Sequence, residues 1–279
     1  MAFIDIKNAL EPVHAASCRY DGVAILGGDG AAFGGHCAAQ SLSAAAAEAG
    51  SDRPAISVHT TFLSRVAPDE GVSYEVSWLK KGRAFSILRV DASQGGLVRL
   101  TSVISFHDSE VAPQHQISMP VADPPHACAN SQFIPPGTNP EVRRCFEIRS
   151  VEIAALNAQQ HPTLAYWLRC RQPLGSLQHL HAGALVWFSD LSMPFTADLP
   201  YTEKDGRRFG ASLDHSVWFH RRFSAEEWLL LVQESPIYTG ARALTRGMFF
   251  TANGDLVATA AQETLIRRVR DCNTRLART

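Results

Sequence analysis

The stretch Arg208–Phe223, RFGASLDHSVWFHRRF, decides how the rest of the chain is read. Leu213, Val217 and Phe219 fall on one parity, and Ser212, Asp214, Ser216 and Trp218 on the other. Alternation of this kind marks a half-buried strand. Asp214, His215 and Ser216 set between aromatic residues also suit a functional site, although polar residues on the open face of a strand are ordinary. The pattern alone does not separate the two readings.

A second copy of the stretch separates them. Val58–Pro68, VHTTFLSRVAP, aligns with Asp214–Ser224, DHSVWFHRRFS. At an offset of 156 residues His59 matches His215, Phe62 matches Trp218 and Val72 matches Trp228. Further on, QGGLV from Gln94 matches ANGDLV from Ala252 at an offset of 159. Both are glycine turns between apolar runs, the mark of a β-hairpin. Two large copies imply one duplicated and fused unit, not a solenoid of short repeats.

With 279 residues, 46% of them hydrophobic, the chain can bury one or two good cores. Its 26 basic and 27 acidic residues leave a net charge of −1, so no basic field favours nucleic acid or anionic lipid. Arg267, Arg268, Arg270, Arg275 and Arg278 are a local exception and read as a solvated tail, with a phosphate-bearing ligand as the other use. The six cysteines form no Cys-x-x-Cys pair, which fits reduced thiols. MAFIDIKNAL lacks the basic start and apolar core of a signal peptide, and no run of ~18 apolar residues exists. A soluble, cytoplasmic protein without membrane insertion is expected.

Cys18–Leu26 reads as a first strand ending at Gly27-Gly28-Asp29-Gly30. HCAAQSLSAAAAEAG, alanine-rich and free of proline, predicts a helix up to Gly50. Four β-rich runs follow, Ala55–Val66, Val72–Leu79, Ala84–Ala92 and Leu97–Phe106. Strand, long helix and four antiparallel strands give an α+β unit, one sheet curled around one helix. From His107 to Asn139 seven prolines up to Pro140 mark a linker draped over the surface and partly disordered. The second copy then offers Cys145–Val151, a strand at Thr163–Arg171 and a helix at Leu177–Phe188 ending at Met193-Pro194. Strands at Phe209–Phe223, Tyr238–Thr251 and Leu256–Val269 complete it. Glu226–Glu234 aligns with a strand of the first copy but has helical propensity, and stays ambiguous. The implied division is residues 1–110, a linker at 111–140, and residues 141–279.

FGGHCAAQSL, HTTFLSR, GRAFSILRV, LVWFSDLSMPF, LDHSVWFHRRFSAEEWLL and GDLVATAAQETLIR, in this order, resemble the type II acyl-CoA thioesterases, the TesB-like family of double hot-dog proteins. The resemblance covers nearly the whole chain and weakens in the linker and at the C-terminus. It implies an α+β double hot-dog, two fused copies of an antiparallel sheet wrapped around a long helix. It further implies an acyl-CoA substrate, no cofactor, and assembly as a homo-oligomer. In that family a carboxylate, a hydroxyl and a carboxamide of the second hot dog position the hydrolytic water. By motif these are Asp190 in SDL, Ser212 ahead of Asp214-His215, and Gln262 in AQET; many members carry Thr where Ser212 stands.

The chemistry suits these residue types. A thioester carbonyl is electrophilic and its thiolate leaves readily, so a polarised water suffices. Asp190 would take the water's proton. Ser212 can donate and accept, and Gln262 offers an acceptor and two donors, which together fix the water's orientation. The oxyanion needs donors, and a helix N-terminus has free N–H groups; Gly34 and Gly35 are the candidates. Each residue alone has a plainer use, Asp190 at a helix end, Ser212 and Gln262 on strand surfaces. His59 and His215 read as structural hydrogen-bonding residues, and His179 and His181 as a poor metal pair on a helix. Two alternatives are a non-catalytic acyl-CoA-binding scaffold and a hot-dog hydratase. The latter would need Asp214 and His215 on one face, whereas strand neighbours point oppositely. A free-thiol assay over an acyl-CoA panel separates the three.

Overall fold

The computed structural model describes residues 4–27, 30–50, 53–129, 140–153, 156, 161–201 and 208–268. Gly28, Asp29, Pro135, Pro136, Cys272 and the C-terminal arginines beyond Arg268 lie outside them.

Two helices form the centre, α2 at Gly34–Ala49 and α4 at Gln178–Asp198, with a short α3 at Pro140–Cys145 between them in the chain. Cys37, Ala38, Ala39, Ala44, Ala45 and Ala46 make α2 slim enough to be buried over most of its length, including Gln40 and Ser41. Around α2 lie β2 (Arg19–Val23), β3 (Ala55–Phe62), β4 (Gly71–Lys81), β5 (Phe85–Gln94) and β6 (Leu97–His107). Around α4 lie β7 (Phe146–Ser150), β8 (Thr163–Cys170), β9 (Arg208–Ser212), β10 (Asp214–Phe219), β11 (Leu229–Thr239), β12 (Arg242–Thr251) and β13 (Leu256–Arg268). All join one antiparallel sheet in the order β2-β4-β5-β6-β3-β10-β13-β12-β11-β8-β7, with β9 on β13 and β1 (Val13–Ala16) beyond β2. This is the expected α+β double hot-dog: a sheet curled around a long helix, twice.

The copies are fused along β3 and β10, where Thr60 faces His215 and Val58 faces Val217. One hydrophobic core runs through both, taking in Ala39 and Leu42 of α2, Leu185 and Trp187 of α4, and Ile104 and Ala260 from the two halves of the sheet. A short helix absent from the sequence reading, α1 at Ile6–Leu10, is wedged into the same core. Ile6 and Leu10 are fully buried, and the Ala9 carbonyl accepts from the His36 ring at 2.8 Å and from Gln40 Nε2 at 2.8 Å. Burial pushes the His36 imidazole down to about 4, against the opposing pull of the Ala9 carbonyl.

The structure corrects or completes the sequence reading in four places. First, the 156-residue offset is out by one. His59 is half-buried beside the exposed Trp218, whereas His215 is fully buried; Val72 sits in the main core, whereas Trp228 packs in a separate cluster. A slip of one residue exchanges the faces of a strand, and an offset of 157 brings Phe62 onto Phe219, both packed against the main core, and Val72 onto Leu229, both within it. Second, Tyr238–Thr251 is not one strand: Gly240 and Ala241, with φ of 57° and 62°, turn the chain between β11 and β12. Third, the ambiguous Glu226–Glu234 stretch enters β11, because pairing with β8 and β12 and burial of Leu229 to Leu231 override its helical propensity. Fourth, α4 does not stop at Pro194 but carries it internally and reaches Asp198.

The described part of the proline-rich stretch lies over the outer face of the second copy's sheet. Asp123 accepts a 2.8 Å bond from the Trp167 indole through its carbonyl, and Gln116 Nε2 donates to the Gly254 carbonyl at 2.8 Å. Met119 and Ala122 pack there on a second cluster that includes Trp167, Leu230 and Phe250. The shared core and the β3–β10 seam predict that residues 1–110 or 141–279 expressed alone are insoluble or molten. Amide dispersion and denaturant titration check this; a well-dispersed, cooperatively unfolding half would contradict it.

Candidate active site

The first turn of a helix has N–H groups without intrahelical partners. For α2 the preceding residue, Phe33, is extended (φ −67°, ψ 122°) and has no side chain able to cap it. The cap comes from the other copy: Gly35 N–H donates to Asp190 Oδ2 at 2.6 Å. Asp190 is only 6% exposed, and a helix N-terminus is a favourable seat for its negative charge. The approach needs glycine. A Cβ on Gly35 would lie 2.6 Å from Asp190 Cβ and 3.1 Å from the Trp187 carbonyl, and one on Gly34 would lie 2.7 Å from Phe62 Cε1. Pro194, four residues after Asp190, has no N–H to return to the Asp190 carbonyl, so the helix is weakened where this carboxylate stands.

The remaining oxygen is held by the second copy's half of the sheet. Ser212 Oγ donates to Asp190 Oδ1 at 2.9 Å, and Gln262 Nε2 donates to Ser212 Oγ at 2.7 Å. Gln262 is fully buried, and its Oε1 has no partner. The strand expected over Phe209–Phe223 breaks to allow this. Ser212 pairs with Thr264 and Ser216 with Ala261, so three residues of one strand oppose two of β13, a bulge. Leu213 N–H donates to the Glu263 carbonyl at 2.9 Å, and Asp214 Oδ1 accepts from Glu263 N–H at 3.0 Å, which holds the bulge open. The rough alternation read from the sequence is thereby reversed at Leu213. Ser212 and His215 both turn toward α4, Ser212 to Asp190 and His215 Nε2 to Ser189 Oγ at 2.8 Å.

The structure therefore brings Asp190, Ser212, Gln262 and Gly35 into one hydrogen-bonded chain, with Gly34 alongside. Gly35 departs from its expected use, since its N–H is given to Asp190 and not left open to an oxyanion. Asp214 serves the backbone while His215 is buried, so the two do not form an acid–base pair over a shared space. His59 Nδ1 meets Ser216 Oγ at 3.0 Å on the other face. In His181, Nε2 donates to the Gly175 carbonyl and Nδ1 accepts from Ala225 N–H, while His179 lies 3.6 Å from Glu11. No group of three or more ligating residues able to hold a metal occurs among the described residues. Ser189 was missed by the sequence reading; the Ser-Asp order of SDL was its only signal.

A protein-family model described as the acyl-CoA thioesterase N-terminal domain matches residues 26–107, and one described as the C-terminal domain matches residues 124–266. Acyl-coenzyme A thioesterase 8 of Rattus norvegicus is 34% identical over 255 residues, spanning 84% of this chain and 80% of the relative. Acyl-CoA thioesterase 2 of Haemophilus influenzae is 33% identical over 250 residues, spanning 84% and 87%. The crystal structure of an acyl-CoA thioesterase II, TesB2, from Mycobacterium marinum superposes with a TM-score of 0.83 at 33% identity, covering 95% of this chain and 98% of its own.

The crowding at the glycines orders two substitutions. Gly35→Ala places its methyl against the Asp190 backbone side and should cost about 1–3 kcal/mol as an overpacked contact. Gly34→Ala meets the rim of the Phe62 ring, which can swing aside, and should cost less. Urea unfolding midpoints of the two variants check this; equal or reversed losses would contradict it.

Proposed function

Because the chain belongs to the acyl-CoA thioesterase family, we propose that it hydrolyses acyl-CoA thioesters by activating a water with Asp190, Ser212 and Gln262. One observation carries the reading: a nearly buried carboxylate is fixed through both oxygens, by Gly35 N–H at 2.6 Å and Ser212 Oγ at 2.9 Å. A carboxylate oxygen has more acceptor capacity than one bond uses, so Asp190 can still receive a proton from a water.

In this mechanism the water loses its proton to Asp190 as its oxygen bonds to the thioester carbonyl carbon. The C=O electrons move to oxygen, and their return expels the CoA thiolate. The proton held by Asp190 then passes to the sulfur, so acid and free CoA thiol leave and the carboxylate is restored. Fixing the base beforehand removes reorientation from the barrier. Ser212 donates a hydrogen bond to Asp190 and accepts one from Gln262, so both hydrogen bonds of this relay run toward the carboxylate. Gly35 positions the base, which leaves Gly34 as the candidate oxyanion donor of the pair. The reaction is set in the cytoplasm, in a homo-oligomer of this chain. No helix among the described residues is long and apolar enough to cross a membrane.

Asp190→Asn keeps the shape and removes the base. It should leave acyl-CoA binding nearly intact while lowering turnover by roughly 10²–10⁴-fold, the range for a general base. Thiol release measured over an acyl-CoA panel tests this, and a folded Asp190→Asn enzyme as fast as wild type would refute the assignment. In a second comparison Ser212→Thr, which keeps the hydroxyl, should retain turnover that Ser212→Ala loses. The opposite order would remove Ser212 from the chain.

A further inference from the structure

We propose that His215 is a positioning residue that sets the orientation of the Gln262 carboxamide, an inference that rests on the role assigned to Gln262 above. His215 is fully buried and lies one residue beyond the Ser216–Ala261 pair, on the side of Gln262. Its Nε2 is 2.8 Å from Ser189 Oγ, on the residue next to Asp190. Its Nδ1 has no hydrogen-bond partner, and neither has Gln262 Oε1. Two orphaned buried polar atoms on residues opposite one another across the β10–β13 pairing are uncommon in a folded protein. Burial lowers the pKa of His215, while the charge of Asp190, a hydrogen bond with the Gln262 side chain and the charge of Asp214 oppose that shift.

Proton placement links the two atoms. With the proton on Nε2, a bare Nδ1 would face a bare Oε1, leaving two buried acceptors unsatisfied. Turning the carboxamide round would satisfy Nδ1 but present Oε1 to Ser212, and Gln262 could no longer donate there. Only the Nδ1–H tautomer leaves Gln262 Nε2 free for its 2.7 Å bond to Ser212. Nε2 then accepts from the Ser189 hydroxyl at 2.8 Å, whose single proton is directed to the ring in place of the Val186 carbonyl 3.0 Å away. The ring thus acts through Gln262 and Ser212 on Asp190 without touching substrate.

The test is a double-mutant cycle in the full-length enzyme with His215→Phe, Gln262→Ala and both together, read as kcat and KM for one acyl-CoA. Each single change should lower kcat about 10- to 100-fold, the scale of a misplaced catalytic group, with KM within about twofold. The double variant should be no slower than Gln262→Ala. Independent, multiplying losses would overturn the proposal, as would a His215→Phe enzyme with wild-type kcat. A Gln262→Ala enzyme with full activity would instead overturn the role of Gln262 itself, and this inference with it. If His215→Phe does not fold, His215→Asn, which keeps an N–H near Nδ1, should retain more kcat than His215→Gln, which keeps one near Nε2; the reverse order refutes the proposal. In the unmodified enzyme, 15N shifts should identify Nδ1 as the protonated nitrogen of His215, and protonation at Nε2 would contradict it.

Discussion

The 2.6 Å bond from Gly35 N–H to the Asp190 carboxylate sets how closely the two central helices approach, and much of the structure accommodates it. A charged side chain of α4 caps α2, so neither copy satisfies its polar groups alone. The glycines at 34 and 35, the slim alanine face of α2 and Pro194 within α4 all surround this contact. A buried carboxylate is tolerated only where partners replace its water, and here those partners come from a helix of one copy and a strand of the other. Ser212 reaches its oxygen because a bulge reverses the strand beside it.

The fused sheet and the cap act together. β3 and β10 fix the register between copies, and α1 fills the space beside α2 and α4 with Ile6 and Leu10. The proline-rich segment shields the outer face of one sheet by packing Met119 and Ala122 on the cluster around Trp167. Duplication has therefore left the copies unequal: one supplies a helix end, the other the carboxylate, hydroxyl and carboxamide.

Much of this was legible in the sequence. Alanine content marked α2, and glycine turns at Gly95-Gly96 and Asn253-Gly254 marked the hairpins, because both depend on local backbone preference. The positions of Asp190, Ser212 and Gln262 came from a resemblance of motifs, and the structure places the three within hydrogen-bond contact. Face assignments were less legible. A bulge at Leu213 cannot be read from alternation, and the 156-residue offset matched His59 to His215 by identity although they lie on opposite faces. The Gly35 cap was invisible because it joins residues 155 apart in the chain, and α1 owes its order to tertiary burial, not to propensity.

The role proposed for Asp190, acting on a water and not on the acyl group, leaves an isotopic signature. A single turnover with enzyme in excess in 18O-labelled water, followed by mass spectrometry of the acid product and of the peptide containing Asp190, reads it. Direct attack by water predicts one 18O in the released acid and none in Asp190. An unlabelled acid from that first turnover, with 18O in the Asp190 carboxylate, would show a covalent acyl-enzyme anhydride and contradict the account.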